Sequence, residues 1–468
     1  MKNLQTLLLL LIVLSVFLTE ACKSDAQEVG DMIIHGGTIY TVNNEFSTTE
    51  AVVVSGNKII FTGNKEDAFE FKGDNTKVIN LENKIMIPGF IDSHGHFLGM
   101  GNSKLILDLR PLNSYDDLLD LVSQAVQNAQ DGEWIIGRGW HQDKWSGDKT
   151  GFVSGFPTHT KLSEISPNNP VILTHASGHS SFVNAYALNL AGINAGSIKE
   201  IQSKLQGGEI LTDKAGNPTG ILNENAELLI QSLMPDDNSE KLMLKKFNAA
   251  VKECQRNGIT SFHDAGVLSK TLNLYLKMKE KGKIGVRLHV MLYKDNNLLN
   301  EWFERGPYID SVDHMLNIRS VKLLADGALG NRGAWLTEAY SDKPDWFGLN
   351  TVSPKLMKEI AEKCLQNGFQ LCIHAIGDRA NHEVLDIYES AIKKYPKLSK
   401  DHRFRIEHAQ HLHEKDIPRF SELGVIAAMQ AIHMSSDRPW AIDRLGAERI
   451  KEGAYVWQKL IQSGAHIM

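Results

Sequence analysis

From about residue 255 onward the chain alternates between short apolar runs of β character and amphipathic runs of helical character. "EKLMLKKFNAAVKECQRNG" carries apolar residues at helical spacing and stops at Gly258. "ITSFHDAG" follows as a strand, then "KIGVRLHVML" and "IRSVKLLADG". "PKLMKEIAEKCLQNG" opens on proline and closes on glycine, the signature of a helix, and leads into the strand "FQLCIHAIGD". The same rhythm produces "FRIEHAQ", "VIAAMQ" and the beginning of a further strand at "AHIM". Strands alternating with helices predict parallel pairing. Counting "IMIPGFIDSH" as the first strand, the pattern predicts an α/β fold, a (β/α)8 TIM-type barrel, with the eighth strand cut short. The competing doubly wound sheet lacks its sign, because no glycine-rich phosphate fingerprint follows an early strand.

Two stretches depart from this rhythm. Residues 31–86 hold short β-branched runs, with Gly56-Asn57 between two of them as a hairpin signal. They are expected to form a small N-terminal β-sandwich unit ahead of a barrel over 87–468. Residues from about 105 to 240 contain a helix, "SYDDLLDLVSQAVQNA", and Gly/Trp-rich segments such as "GEWIIGRGWHQDKW". They read as an insertion between the first barrel strand and its helix, over the face where a barrel carries its chemistry.

The first 22 residues stand outside the fold. One early lysine precedes an apolar stretch from Leu7 to Leu18, which ends at small residues before Cys22. This is a secretory signal pattern, too short to span a bilayer comfortably. Cys22 sits as in a bacterial lipobox, with Thr19 and Glu20 as departures, so residues 23–30 become a tether. The expected location is exported, periplasmic or membrane-anchored in a bacterium, with a lipid at Cys22 as the sole membrane contact. The remaining cysteines, Cys254, Cys364 and Cys372, lie among apolar neighbours and are expected to be buried thiols. A net charge of −6, with signs interspersed, argues against nucleic acid as a partner.

The chemistry-bearing residues fall at strand ends. His94 and His96 stand at i and i+2, one face of a strand. Alone, such a pair reads equally well as solvated loop histidines. The second strand ends in His263-Asp264, the fourth holds Lys322 and runs on to Asp326, the fifth ends in His374 before Gly377-Asp378-Arg379, and the sixth ends in Glu407-His408. That many imidazoles at consecutive strand mouths predict a metal site. His175 and His179 in the insertion are either substrate contacts or hydrogen-bonded structural residues. Trp134, Trp140 and Trp145 line a pocket or fill core.

"PGFIDSHGHF", "VKLLADGALGNRGA", "IHAIGDRA" and "RIEHAQ" resemble the amidohydrolase superfamily. More narrowly, the chain resembles the amidohydrolase-3 group, which includes N-substituted formamide deformylase-like proteins. "HSSFVNAYAL" and "DKAGNPTGILNENA" add weaker matches. The resemblance implies that His94, His96, His374 and His408 are ligands of one or two divalent ions, zinc foremost. Lys322 stands where several branches carry a lysine carboxylated by CO2; the alternative is a lysine paired with a carboxylate such as Asp326. His179, Asp326 and Arg379 are candidate substrate contacts. The implied activity is hydrolysis of amide-type, non-peptide C–N bonds in a small molecule. The family's strand-eight aspartate has no counterpart before Met468, which leaves the catalytic base unassigned. The chain as written is expected to be C-terminally truncated, to bind metal in part and to turn over little. The alternatives are an exported metal-binding lipoprotein or pseudoenzyme without turnover, and the same fold acting on esters or lactones.

Overall fold

The computed structural model describes residues 28–176, 180–205, 208–235, 239–330 and 332–468. The signal and lipobox, most of the tether, and His179 lie outside the described residues. Among the described residues no helix is long and apolar enough to cross a membrane.

The chain forms two compact units. The first runs to Phe90 and includes Ser311–His314. Its strands are β1 (Gly30–Tyr40), β2 (Thr48–Ser55), β3 (Lys58–Gly63), β4 (Lys72–Asn80) and β5 (Ile85–Met86). They form one sheet of order β3-β2-β1-β4, with β5 also pairing β1. Gly56-Asn57 makes the β2–β3 turn, Gly56 at φ +57°, where a residue without Cβ is favoured. The expected sandwich is instead a single sheet carrying one helix, Lys65–Glu70, capped by the Asn64 side chain on Asp67 N. The reason is local: Ala68 of that helix packs on Ile33, Ala51 and Val53, which closes the small core without a second sheet.

The second unit holds everything from Ile91 except those four residues. Strand β6 (Phe90–Gly95) feeds the helix Phe97–Ser103. An insertion follows with its own sheet: β7 (Leu107–Asp108), β8 (Ile135–Trp140), β9 (Val171–His175), β10 (Ser180–Val183), β11 (Gly208–Thr212) and β12 (Pro218–Glu224), in the order β11-β12-β10-β9-β8-β7. Trp140 and Trp145 are buried in its core, so they fill rather than line. The helix Glu240–Arg256 then returns against Phe97–Ser103. Their backbones touch at Gly101, where a Cβ would stand 1.9 Å from the Lys246 carbonyl oxygen.

The barrel strands are β6, β13 (Ile259–Val267), β14 (Arg287–Tyr293), β16 (Leu316–Leu324), β17 (Gln370–Ala375), β18 (Arg405–His408) and β19 (Ile426–Ala428). They lie in the order β19-β18-β17-β16-β14-β13-β6, and β15 (Tyr308–Ile309) adds antiparallel to β16. Register is parallel from β13 to β19, for example Lys322 beside Cys372 and His374 beside Glu407. Beyond β19, Ile467 bridges Ala427 in parallel, with Ala427 N on His466 O at 2.9 Å and Met468 N on Ala427 O at 3.0 Å. The result is an α/β fold with a nearly closed barrel sheet of parallel strands. Helices Ser269–Glu280, Pro354–Asn367 and Asp378–Lys394 bury apolar faces against the barrel core.

Candidate metal centre

β6 and β18 are not neighbours in the sheet, yet their side chains meet inside the barrel. The His94 ring centroid lies 4.6 Å from that of His408 and 5.9 Å from that of His96, and His408 lies 4.6 Å from His374. Imidazoles sharing one ion through nitrogens about 2 Å from it keep their ring centres about 5 Å apart. The four predicted histidines are therefore together. Among the described residues, no three His, Cys, Asp or Glu side chains stand in finished ligand geometry; the rings rest edge to face on one another instead.

Neighbouring groups orient these rings. His94 Nδ1 bonds Glu407 Oε2. His408 Nδ1 meets Gln430 Oε1 at 2.6 Å, and Gln430 is itself fixed on the Ala428 carbonyl at 3.0 Å. Both oxygens accept, so each Nδ1 carries the proton and each Nε2 keeps its lone pair. His374 Nε2 is buried without a hydrogen-bond partner among the described residues. It stands 3.4 Å from Asp326 Oδ1, outside hydrogen-bond geometry. Such a donor set fits a divalent cation. His408 also sits at φ +77° and Ala409 at φ +40°, two non-glycine residues in the left-handed region at a strand end.

Burial pushes His94 and His408 below the usual imidazole range, the Glu407 carboxylate opposing it at His94. Burial thus favours the neutral imidazole, the form that can ligate, in both rings. Glu407 is fully buried. Burial works to raise it, but Arg405 and His94 outweigh that and bring it to about 2. Lys322 is buried beside them; burial lowers its ammonium against the pull of Glu407. No carboxylate stands within ion-pair distance of Lys322 among the described residues. Asp326 is occupied elsewhere: its oxygens accept from Ile376 N at 3.0 Å, Gly377 N at 2.8 Å and Trp335 N at 2.9 Å.

Several sequence expectations need correction. Asp326, expected as a substrate contact, is fully buried and ties the loop after β17 through backbone N–H groups. Arg379 is exposed, its guanidinium 4.6 Å from the Trp335 ring centroid, and it makes no described contact with the histidines. His263 and Asp264 lie within β13 rather than at its end, because the strand continues to Val267. Asp264 points out of the barrel and accepts from Phe97 N at 3.0 Å and Tyr275 Oη at 2.6 Å, which anchors the turn after His96. His175 packs its ring 4.7 Å from both Trp140 and His141, inside the insertion. Cys254, Cys364 and Cys372 are buried free thiols.

Sequence reasoning missed Arg405, Gln430 and His433. Arg405 and Glu407 alternate on one strand, so both face inward, a signal that was present. Gln430 and His433 had none, because the helix Ala431–Leu445 brings His433 to 5.2 Å from His408 only in three dimensions. Asp437 lies in the same helix and accepts from Gln410 Nε2 at 3.3 Å.

One buried imidazole makes a separate prediction. His411 is buried with neither ring nitrogen hydrogen-bonded among the described residues, and burial pushes it down to about 3. A folded-state value depressed below the unfolded one, about 6.5, gives stability that is full above pH 6.5 and lost as pH falls toward 3. Chemical denaturation from pH 7 to 4 should show His411→Leu with a slope shallower by up to about one proton. An unchanged slope contradicts this assignment.

The sequence profile of the amidohydrolase family matches residues 77–468. Protein LONG AFTER FAR-RED 3 of Arabidopsis thaliana is 32% identical over 449 residues, 93% of this chain and 74% of its own. The putative amidohydrolase YtcJ of Bacillus subtilis (strain 168) is 33% identical over 440 residues, 92% and 78% of the two chains. The N-substituted formamide deformylase of Arthrobacter pascens is 26% identical over 407 residues, 85% and 72%. Among solved structures, an uncharacterized metal-dependent hydrolase from Pyrococcus furiosus superposes with a TM-score of 0.72 at 26% identity, over 93% of this chain and 84% of that one. The chain therefore belongs to the amidohydrolase family and is a hydrolase.

Proposed function

We propose that the protein is a metal-dependent hydrolase of a small molecule, cleaving an amide-type C–N bond with water. The observation that carries this reading is the convergence of His94, His96, His374 and His408, with two of the rings bonded through Nδ1 so that Nε2 keeps its lone pair. A divalent ion held by these residues, zinc foremost, would supply Lewis-acid polarisation of a carbonyl and an acidified water. Support for the bond type comes from relatives whose names specify an amidohydrolase and a formamide deformylase.

The chain's own residues have separable tasks. Glu407 and Gln430 hold His94 and His408 in one tautomer each. Asp326 fixes Ile376-Gly377 immediately after His374. Lys322 sits inside the barrel wall, where burial favours the neutral amine. Only the neutral amine has the lone pair that CO2 needs, so Lys322 is suited to carboxylation. We expect Lys322→Ala to lose activity and bicarbonate to stimulate the wild type but not the variant, read in initial rates. Equal rates of variant and wild type would exclude the role.

The purified full chain, loaded with zinc, should be assayed against formamides, other amides, lactams, carbamates, esters and lactones. Hydrolysis of a C–N substrate supports the proposal. Activity on esters or lactones alone moves it to C–O bonds. Stoichiometric metal with no hydrolysis at all overturns it in favour of a binding protein. Export with lipidation at Cys22 belongs to the same proposal and rests on the apolar stretch Leu7–Leu18 before that cysteine. Palmitate labelling that is lost in Cys22→Ser would support it, and labelling absent from the wild type would oppose it.

A further inference from the structure

Arg405 is the largest buried charge of the barrel interior, only 1% exposed. Its guanidinium can donate but never accept. Nη2 donates to the Ser93 carbonyl oxygen at 2.8 Å and to Glu407 Oε2 at 2.8 Å. Nη1 meets His263 Nδ1 at 3.0 Å, and Nε stands 2.7 Å from Glu407 Oε1. Every partner is thereby forced to be an acceptor. His263 must carry its proton on Nε2, and Glu407 must be the carboxylate.

The carboxylate then dictates the state of His94. Glu407 Oε2 accepts from His94 Nδ1, so that nitrogen holds the hydrogen and the lone pair lies on Nε2. Arg405 also holds the backbone one residue earlier, at Ser93. No sheet ladder links β6 to β18, so these bonds are what fix the aim of His94 relative to His408. His263 braces the arginine from the far side: its ring lies 4.6 Å from that of His289, whose Nε2 meets Ser320 Oγ at 2.7 Å.

We propose that Arg405 and Glu407 are positioning residues: a cross-barrel clamp that sets the tautomer and aim of His94 so that its Nε2 is offered to the metal. This deepens, and rests on, the metal-dependent reading above. The clamp predicts an unusual sensitivity to an isosteric change. In Glu407→Gln a neutral amide replaces the carboxylate: with its oxygen at the shared Oε2 position its NH2 faces Arg405 Nε, donor against donor, and turned over its NH2 faces both Arg405 Nη2 and His94 Nδ1. Either way the charge-assisted hold on the His94 Nδ1 hydrogen is weakened, and Nε2 is offered to the metal less firmly. Glu407→Asp keeps the carboxylate and should recover part of the loss.

The test is zinc affinity by chelator competition on folded apoprotein, with the apoprotein melting temperature measured in parallel. Glu407→Gln should bind zinc about 10- to 100-fold more weakly than wild type, and Glu407→Asp should lie between them. A clamp that serves only the fold would lower the melting temperature and leave zinc affinity unchanged; that result overturns the inference while leaving the metal reading intact. If the wild type itself binds no zinc, the metal reading fails and the clamp fails with it. Should Glu407→Gln not fold, 15N spectra of histidine-labelled wild-type apoprotein decide, with the His94 signal assigned by its loss in His94→Gln. A hydrogen on Nδ1 supports the clamp, and one on Nε2 overturns it.

Discussion

His374→Ala should abolish both metal retention and hydrolysis, with kcat/KM falling by about a thousandfold or more. The His374 Nε2 atom is buried with no protein hydrogen bond among the described residues, and the ring lies 4.6 Å from that of His408. A polar atom left unpaired in the interior costs stability unless a ligand uses it. Metal chemistry supplies several kcal/mol of transition-state stabilisation, and each 1.36 kcal/mol is tenfold in rate, so losing the ion gives that size of effect. His382→Ala is the control. That histidine lies on the outer helix Asp378–Lys394, about half exposed, against Asp416 at 3.0 Å, and its loss should leave metal content and rate intact. Metal analysis and steady-state kinetics on the two variants read the difference. Equal metal content in His374→Ala and wild type would refute the assignment.

Arg405→Leu should be the most destabilising single change in the barrel interior, by about 3–5 kcal/mol. The arginine and Glu407 are both fully enclosed, and removing the cation leaves a carboxylate buried without its main partner. The pH dependence follows from Glu407. Its folded-state value of about 2 is below the ordinary 4.5, so its contribution is present above about pH 4.5 and is lost as pH falls toward 2. The gap between wild type and Arg405→Leu should therefore be widest at neutral pH and narrow on acidification. Urea denaturation at a series of pH values tests this. A pH-independent gap would show that Arg405 acts through packing alone.

Much of the fold could be read from the chain because its signals are periodic. The proline-to-glycine run from Pro354 to Gly368 is a helix with Ser353 as its cap, and the glycine adopts φ +76°. Strand ends bearing His374 and His408 lie where alternation put them. The misread parts depend on side-chain partners that sequence does not display. Asp326 and Asp264 look like chemistry because they are acidic and near strand ends, but backbone N–H groups and the Tyr275 hydroxyl claim them. Arg379 follows a histidine strand yet turns outward onto Trp335. Arg405 was overlooked because a buried cation is rare, and it is stable here only through Glu407, Ser93 and His263. The short helix Lys65–Glu70 escaped notice because six residues carry too little periodicity to distinguish from a turn.

The central claim is that imidazoles from β6, β17 and β18 gather around one cation-binding point. Anomalous diffraction at the zinc edge, on crystals of the full chain grown with zinc, tests it most directly. A peak bounded by the Nε2 atoms of His94, His374 and His408, and absent from crystals of His374→Ala, is the predicted result. Full zinc loading with the peak elsewhere, or with no peak among these residues, would contradict it.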